Sequence, residues 1–180
     1  MHEHKHLGIY LNTSLCWPRQ IHETCLRANR KLAVLRSVRF LKRSTLDLLY
    51  KVCVRSTIEY GLVIYWHTLK PTEAARINQI QYRAAKICTG ALHFSLQSKL
   101  EEDLSWETID NRAKFLGLTI FHKVHLGLTR PLVRACMPQR NNNNTRGAGR
   151  YVQSRYFNQK YNNSFFPFFS KFCSKREQAL

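Results

Sequence analysis

PRQIHETCLRANRKLAVLRSVRF, residues 18–40, is the stretch whose reading decides the fold. Ile21, Cys25, Ala28, Leu32 and Leu35 recur at 4-3-4-3 spacing, which puts them on one stripe of a helix with 3.6 residues per turn. Pro18 suits the first helical turn, where a missing N–H costs nothing, so a helix is predicted from Pro18 to about Phe40. Its other faces are basic: Arg19, Arg27, Arg30, Lys31, Arg36, Arg39, Lys42 and Arg43 stand against one acid, Glu23. A merely solvated face mixes both signs, so this excess marks the eight cations as candidates for phosphate contact.

Downstream the same periodicity continues. Ser44 and Asp47 have capping-box spacing and open a second helix carrying Leu46, Leu49, Tyr50, Cys53 and Ile58, with Leu62 and Tyr65 past Gly61. Tyr60 and Trp66 read as core anchors. Thr72 is placed to cap a third helix running to Thr89, stopped by Gly90 where a left-handed residue is wanted. Ile77, Ile80, Ala84, Ile87 and Cys88 line its inner side. A shorter helix is predicted from Ser95 to Leu104. A long one follows from Ser105 to about Leu126, with Ile109, Ala113, Leu116, Ile120 and Val124 as its stripe. Upstream, His6 to Leu11 alternates like a strand, and Asn12-Thr13-Ser14 is turn chemistry. The fold expected is mainly α: a bundle of about five helices behind one short β-strand or hairpin.

Composition bounds the rest. The chain has 180 residues, 44% of them hydrophobic, enough for one domain with a core. Lys and Arg outnumber Asp and Glu by 29 to 11, a formal charge of +18, which favours a polyanionic partner, nucleic acid first. The longest apolar run, Gly61 to Trp66, is far short of the roughly 20 residues that span a bilayer, and no secretory leader is evident, so no membrane partner is expected. The six cysteines, Cys16, Cys25, Cys53, Cys88, Cys136 and Cys173, are scattered singly. That spacing argues against zinc modules and disulfide frameworks and for a reducing compartment, nuclear or cytoplasmic. Cys25, Cys53 and Cys88 fall at helical spacing from apolar neighbours and are expected in the core. His2, His4 and His6 alternate on an extended chain but lack further ligands, so no metal site is assigned.

Catalysis is not expected of this chain. Two-metal phosphoryl transfer needs clustered carboxylates, and the aspartates are Asp47, Asp103 and Asp110 alone. Glu101-Glu102-Asp103 is contiguous, so in a helix its side chains diverge onto a solvated surface. From residue 139 to residue 150 the chain is rich in Asn, Gly and Arg without periodicity, a linker composition. Residues 151–180 interleave nine aromatics with Arg155, Lys160, Lys171, Lys175 and Arg176. This poorly ordered tail has two readings, a single-strand binding segment or a latch in which Phe165, Phe166, Phe168 and Phe169 pack against a neighbouring domain.

Five short patterns occur in a recognisable order: His4 to Trp17 as strand, turn and Trp-Pro; Arg55-Ser56-Thr57-Ile58-Glu59-Tyr60-Gly61; Gln81-Tyr82-Arg83-Ala84 to Gly90; Leu104-Ser105-Trp106 to Arg112; and Ser164-Phe165-Phe166-Pro167. Together they resemble the region that closes the palm and forms the thumb of reverse transcriptases from non-LTR, LINE-type (jockey-like) retrotransposons. The family usually follows Ser-Phe-Phe-Pro with Trp-Asn, where this chain has Phe172-Cys173 nearby.

The resemblance implies residues 1–17 as a palm-end strand and turn, 18–138 as a thumb-like bundle, 139–150 as a linker and 151–180 as a tail. It implies an RNA-directed DNA polymerase whose palm and fingers lie outside this chain, with Mg²⁺ serving the parent enzyme and no cofactor here. Leu7, Gly8 and Ile9 would then lie beside the primer grip, and the basic face of the first helix would track an RNA/DNA template-primer backbone. A stand-alone basic nucleic-acid-binding module, or an orphan reading frame without a selected role, is the alternative.

Overall fold

Pro18 stands at the first position of helix α1, Pro18–Ser37, in the computed structural model, which describes residues 3–92, 94–138, 151 and 164–176. Ile21, Cys25, Ala28, Leu32 and Leu35 are all buried, as the periodicity requires. The helix stops at Ser37 rather than Phe40 because the next positions on that stripe are Arg39 and Lys42; without an apolar face to bury, extra turns have nothing to hold them. Phe40 is 81% exposed.

Of the two forms expected before the bundle, strand or hairpin, the structure has the hairpin, and His6 to Leu11 spans the end of its first strand, its turn and most of its second strand. Strands β1, Glu3–His6, and β2, Ile9–Asn12, pair antiparallel from Glu3↔Asn12 to His6↔Ile9. Leu7 and Gly8 form the two-residue turn at φ 46° and 81°, the hand that matches strand twist. Gln20, buried on α1, accepts a hydrogen bond from the Tyr10 N–H at 3.0 Å and so ties β2 to the helix.

Helix α2 begins as Arg43–Leu49, widens into a π-helical stretch, Tyr50–Arg55, and ends as Ser56–Glu59. Its buried residues Leu46, Tyr50, Val54 and Ile58 are spaced by four. On an α-helix each such step drifts about 40° around the axis, and the wider π turn absorbs that drift. The same widening moves Cys53 out of the core where periodicity placed it, and it is exposed. Nor is Ser44 a cap: Lys42 precedes the helix without a side-chain cap, and Asp47 is engaged elsewhere.

A short helix α3, Leu62–Tyr65, runs into a 3₁₀ turn, Trp66–Thr68, and is followed by α4, Pro71–Thr89. Lys70, not Thr72, caps α4, its N–H donating to the Glu73 carboxylate at 3.0 Å because Pro71 already fills the first helical position. Gly90 ends it at φ 67°, as expected. Helices α5, Gln97–Asp103, and α6, Ile109–His125, start later than predicted, the second because Ser105 takes a positive φ of 52° between them. Helices α7, Pro131–Ala135, and α8, Phe165–Arg176, complete the described elements. The protein is mainly helical with a two-stranded hairpin at its start.

The chain falls into two compact units. One comprises Met1–Leu62 and Leu69–Ala113, the other Val63–Thr68 and Lys114–Leu180. The second has its own small core of Phe121, Tyr151 and Phe169. There α6 buries Gly117, Phe121 and Val124, while Leu116 is half-buried and Ile120 is exposed, a correction to the predicted stripe. The cause is Phe169, whose ring sits where a side chain on residue 117 would stand. Within the segment read as a tail, then, Phe165–Arg176 is helical, and Phe165, Phe166, Phe168 and Phe169 pack inside this unit; the linker at 139–150 lies outside the described residues.

Candidate nucleic-acid interface

Three of the eight candidate cations converge. Arg27, Arg30 and Lys31, at i, i+3 and i+4 on α1, line an open cleft of about 540 Å³ together with Gly8, Ser56, Thr57 and Tyr60. Lys31 Nζ donates to Thr57 Oγ1 at 2.6 Å, and Thr57 in turn donates to the Cys53 carbonyl at 2.9 Å. Arg27 Nε donates to the Glu23 main-chain carbonyl at 3.3 Å, which orients its guanidinium without neutralising it. None of the lining residues is acidic, and among the described residues Arg27, Arg30 and Lys31 have no carboxylate partner. Concentrated like charge in a concave wall raises local anion concentration.

The other five candidates are placed differently. Arg19 pairs with Glu3 at 2.7 Å, a hydrogen bond that raises its pKa, and its guanidinium lies 4.6 Å from the Tyr10 ring centre. Arg43 donates to the Asp103 main-chain carbonyl and lies 3.5 Å from its carboxylate. Arg36 is exposed in the last turn of α1, whereas Arg39 and Lys42 lie beyond its end and Arg43 opens α2. The basic face of the first helix is therefore shorter than expected.

Of the three primer-grip candidates, Gly8 reaches the cleft wall, Leu7 stands 76% exposed at the hairpin turn, and Ile9 is buried beneath it. Sequence reasoning missed Ser56 and Thr57, and it put Tyr60 in the core. Tyr60 is 51% exposed, and its hydroxyl donates to the Leu7 carbonyl. A signal was available: Tyr60 leaves the helical path, with ψ 112°, just before Gly61 at φ 71°, the kind of break that swings a side chain outward.

A polar network centres on the buried Gln81 and Tyr50. Gln81 on α4 accepts from the Tyr50 hydroxyl at 2.9 Å and donates to the Glu101 carboxylate at 2.8 Å and the Glu107 carbonyl at 3.1 Å. The Tyr50 ring stacks on Trp106 at 3.9 Å, and the Trp106 indole donates to Asp47 at 2.6 Å. Arg112 grips Glu59 through Nε at 2.8 Å and Nη2 at 3.4 Å, with Arg55 at 3.5 Å from the same carboxylate. Burial drives the Tyr50 phenol well above its ordinary range and pushes the Cys88 thiol up to about 12.

Among the described residues no group of three or more His, Cys, Asp or Glu gathers as it would to hold a metal ion, and no helix is long and apolar enough to cross a membrane. No family model, curated protein or solved structure matches this chain.

Proposed function

We propose that this chain is a non-catalytic, thumb-like portion of a LINE-type reverse transcriptase, and that the Arg27–Arg30–Lys31 cleft holds the phosphate backbone of an RNA/DNA template-primer. The observation that carries the reading is the cleft itself: three cations within one helical turn, no acid in the lining, and hydroxyls opposite. Such contacts position a strand without reading its sequence, which suits a protein that must slide along any template.

The residues behind the family resemblance add support. Arg55, Glu59, Gln81, Trp106 and Arg112 come from three separate motifs and are linked through Glu107, which accepts from both Gln81 and Arg112, and through Tyr50, which stacks on Trp106 and donates to Gln81. That convergence is what motifs of a shared scaffold require.

The test is the salt dependence of binding to an RNA/DNA hybrid. Each phosphate contact contributes roughly 0.9 to the slope of log affinity against log salt, so Arg27, Arg30 and Lys31 changed together to Gln should flatten it by about 3. Arg36→Gln, outside the cleft, should change it by no more than about 1. A triple variant that keeps the wild-type slope refutes the proposal.

A further inference from the structure

Tyr60 is an exposed aromatic that is nonetheless held still. Its hydroxyl is anchored on the Leu7 carbonyl, and its Cε1 lies 3.6 Å from the point where a Cβ on Gly8 would stand. The hairpin turn thus fixes the outer edge of the ring, and Tyr60 lines the same cleft as Arg27, Arg30 and Lys31. Ser56 gives its proton to the helix carbonyls of Val52 and Cys53, leaving its oxygen as an acceptor at the cleft wall.

Size narrows the occupant further. The cleft is open and about 540 Å³, room for one base and its phosphate at a single point along a bound strand. Three cations within one helical turn can neutralise up to about three neighbouring phosphates of one strand. Phosphate-binding cations beside a rigid ring are the combination by which proteins hold unpaired nucleotides, the bases stacking and the cations neutralising.

We infer that the cleft takes an unpaired nucleotide of a single-stranded or frayed nucleic acid, with Tyr60 as the platform on which its base stacks. This rests on the cleft being the phosphate site proposed above. Tyr60 supplies the preference for a base, and Arg27, Arg30 and Lys31 supply the charge-dependent hold on the strand.

Anisotropy titrations of the full chain with a labelled oligothymidylate and with an abasic strand of equal length test this. The natural strand should bind roughly 5- to 100-fold more tightly than the abasic one. Tyr60→Phe should keep that preference and Tyr60→Ala should erase it, leaving the salt slope as in wild type. Tyr60→Trp gives an independent readout: the emission of the introduced indole should be quenched by the natural strand and not by the abasic strand. Equal binding of the two strands by wild type, a preference that survives Tyr60→Ala, or an indole left unquenched in the Tyr60→Trp variant overturns the stacking role. If those results come with a flattened slope in the Arg27/Arg30/Lys31 variant, the phosphate site stands and only the base platform fails. An unflattened slope overturns both.

Discussion

Replacing Gln81 with Leu separates two meanings of a motif residue, ligand contact and internal scaffold. Gln81 is 1% exposed and serves three partners at once. The leucine side chain would leave the fully buried Tyr50 hydroxyl without its acceptor, at about 1–3 kcal/mol. Glu101 would lose one donor but keep Gln97 at 2.8 Å, and the carbonyl of exposed Glu107 can turn to water, so those losses are smaller. Apolar burial of the leucine offsets part of this, for a net loss of about 1–3 kcal/mol. Urea unfolding followed by circular dichroism measures it. Tyr50→Phe removes the stranded hydroxyl, so in the Gln81→Leu background it should cost about 1–2 kcal/mol less than in wild type. A loss below about 1 kcal/mol with additive behaviour, accompanied by weaker hybrid binding, would refute the scaffold assignment.

Gly117→Ala should destabilise the second unit by about 1–3 kcal/mol even though Ala is the better helix former, because its Cβ would lie 1.9 Å from Phe169 Cζ; Phe169→Leu should restore part of the loss in thermal melts. At pH 8, Cys53 and Cys136 should react readily with a thiol reagent while Cys25 and Cys88 react only on unfolding, since burial raises both pKa values; labelling followed by peptide mapping reads this, and fast native-state labelling of Cys88 would contradict it. The same Cys88 shift gives a pH dependence. Its folded pKa of about 12 exceeds the ordinary thiol value of 9.0, so the unfolded state loses its proton first, and stability that is full below pH 9 should fall progressively toward pH 12. Cys88→Ala should remove that part of the alkaline decline.

Legibility in the sequence followed the physics of each element. Helix α1 was readable because Ile21, Cys25, Ala28, Leu32 and Leu35 obey the α period and sit at the positions that bury. Helix α2 was readable as a helix but not as a face, because Leu46, Tyr50, Val54 and Ile58 repeat every four residues, and a π turn leaves no mark in composition. The hairpin was half hidden: Gly8 advertised a turn, but Leu7 at positive φ is not a residue that propensity would choose. The eight cations could be counted but not sorted. Pairing with Glu3 and Asp103 removes Arg19 and Arg43 from the unpaired set, and those acids lie 16 and 60 residues away.

The cleft and the polar network are two faces of one segment. Between Arg55 and Tyr60, Glu59 pairs with both Arg55 and Arg112, Ile58 is fully buried, and Ser56, Thr57 and Tyr60 line the cleft with the basic residues of α1. Arg112 comes from a motif 53 residues away and holds Glu59 with two nitrogens, a pairing far more directional than a single lysine contact. Fixing the inner face of a helical turn fixes its outer face as well, because the turn moves as a unit. The hydroxyls opposite Arg27, Arg30 and Lys31 are therefore fixed in the free protein, and the binding proposed above would not meet the entropic cost of ordering that wall. On the other side, Tyr60 reaches across to the hairpin and Gln20 ties β2 to α1, so a short two-stranded hairpin, marginal by itself in water, becomes a fixed third wall. Motifs that look like a family signature in the sequence thus act here through position: they hold still the residues that face the groove.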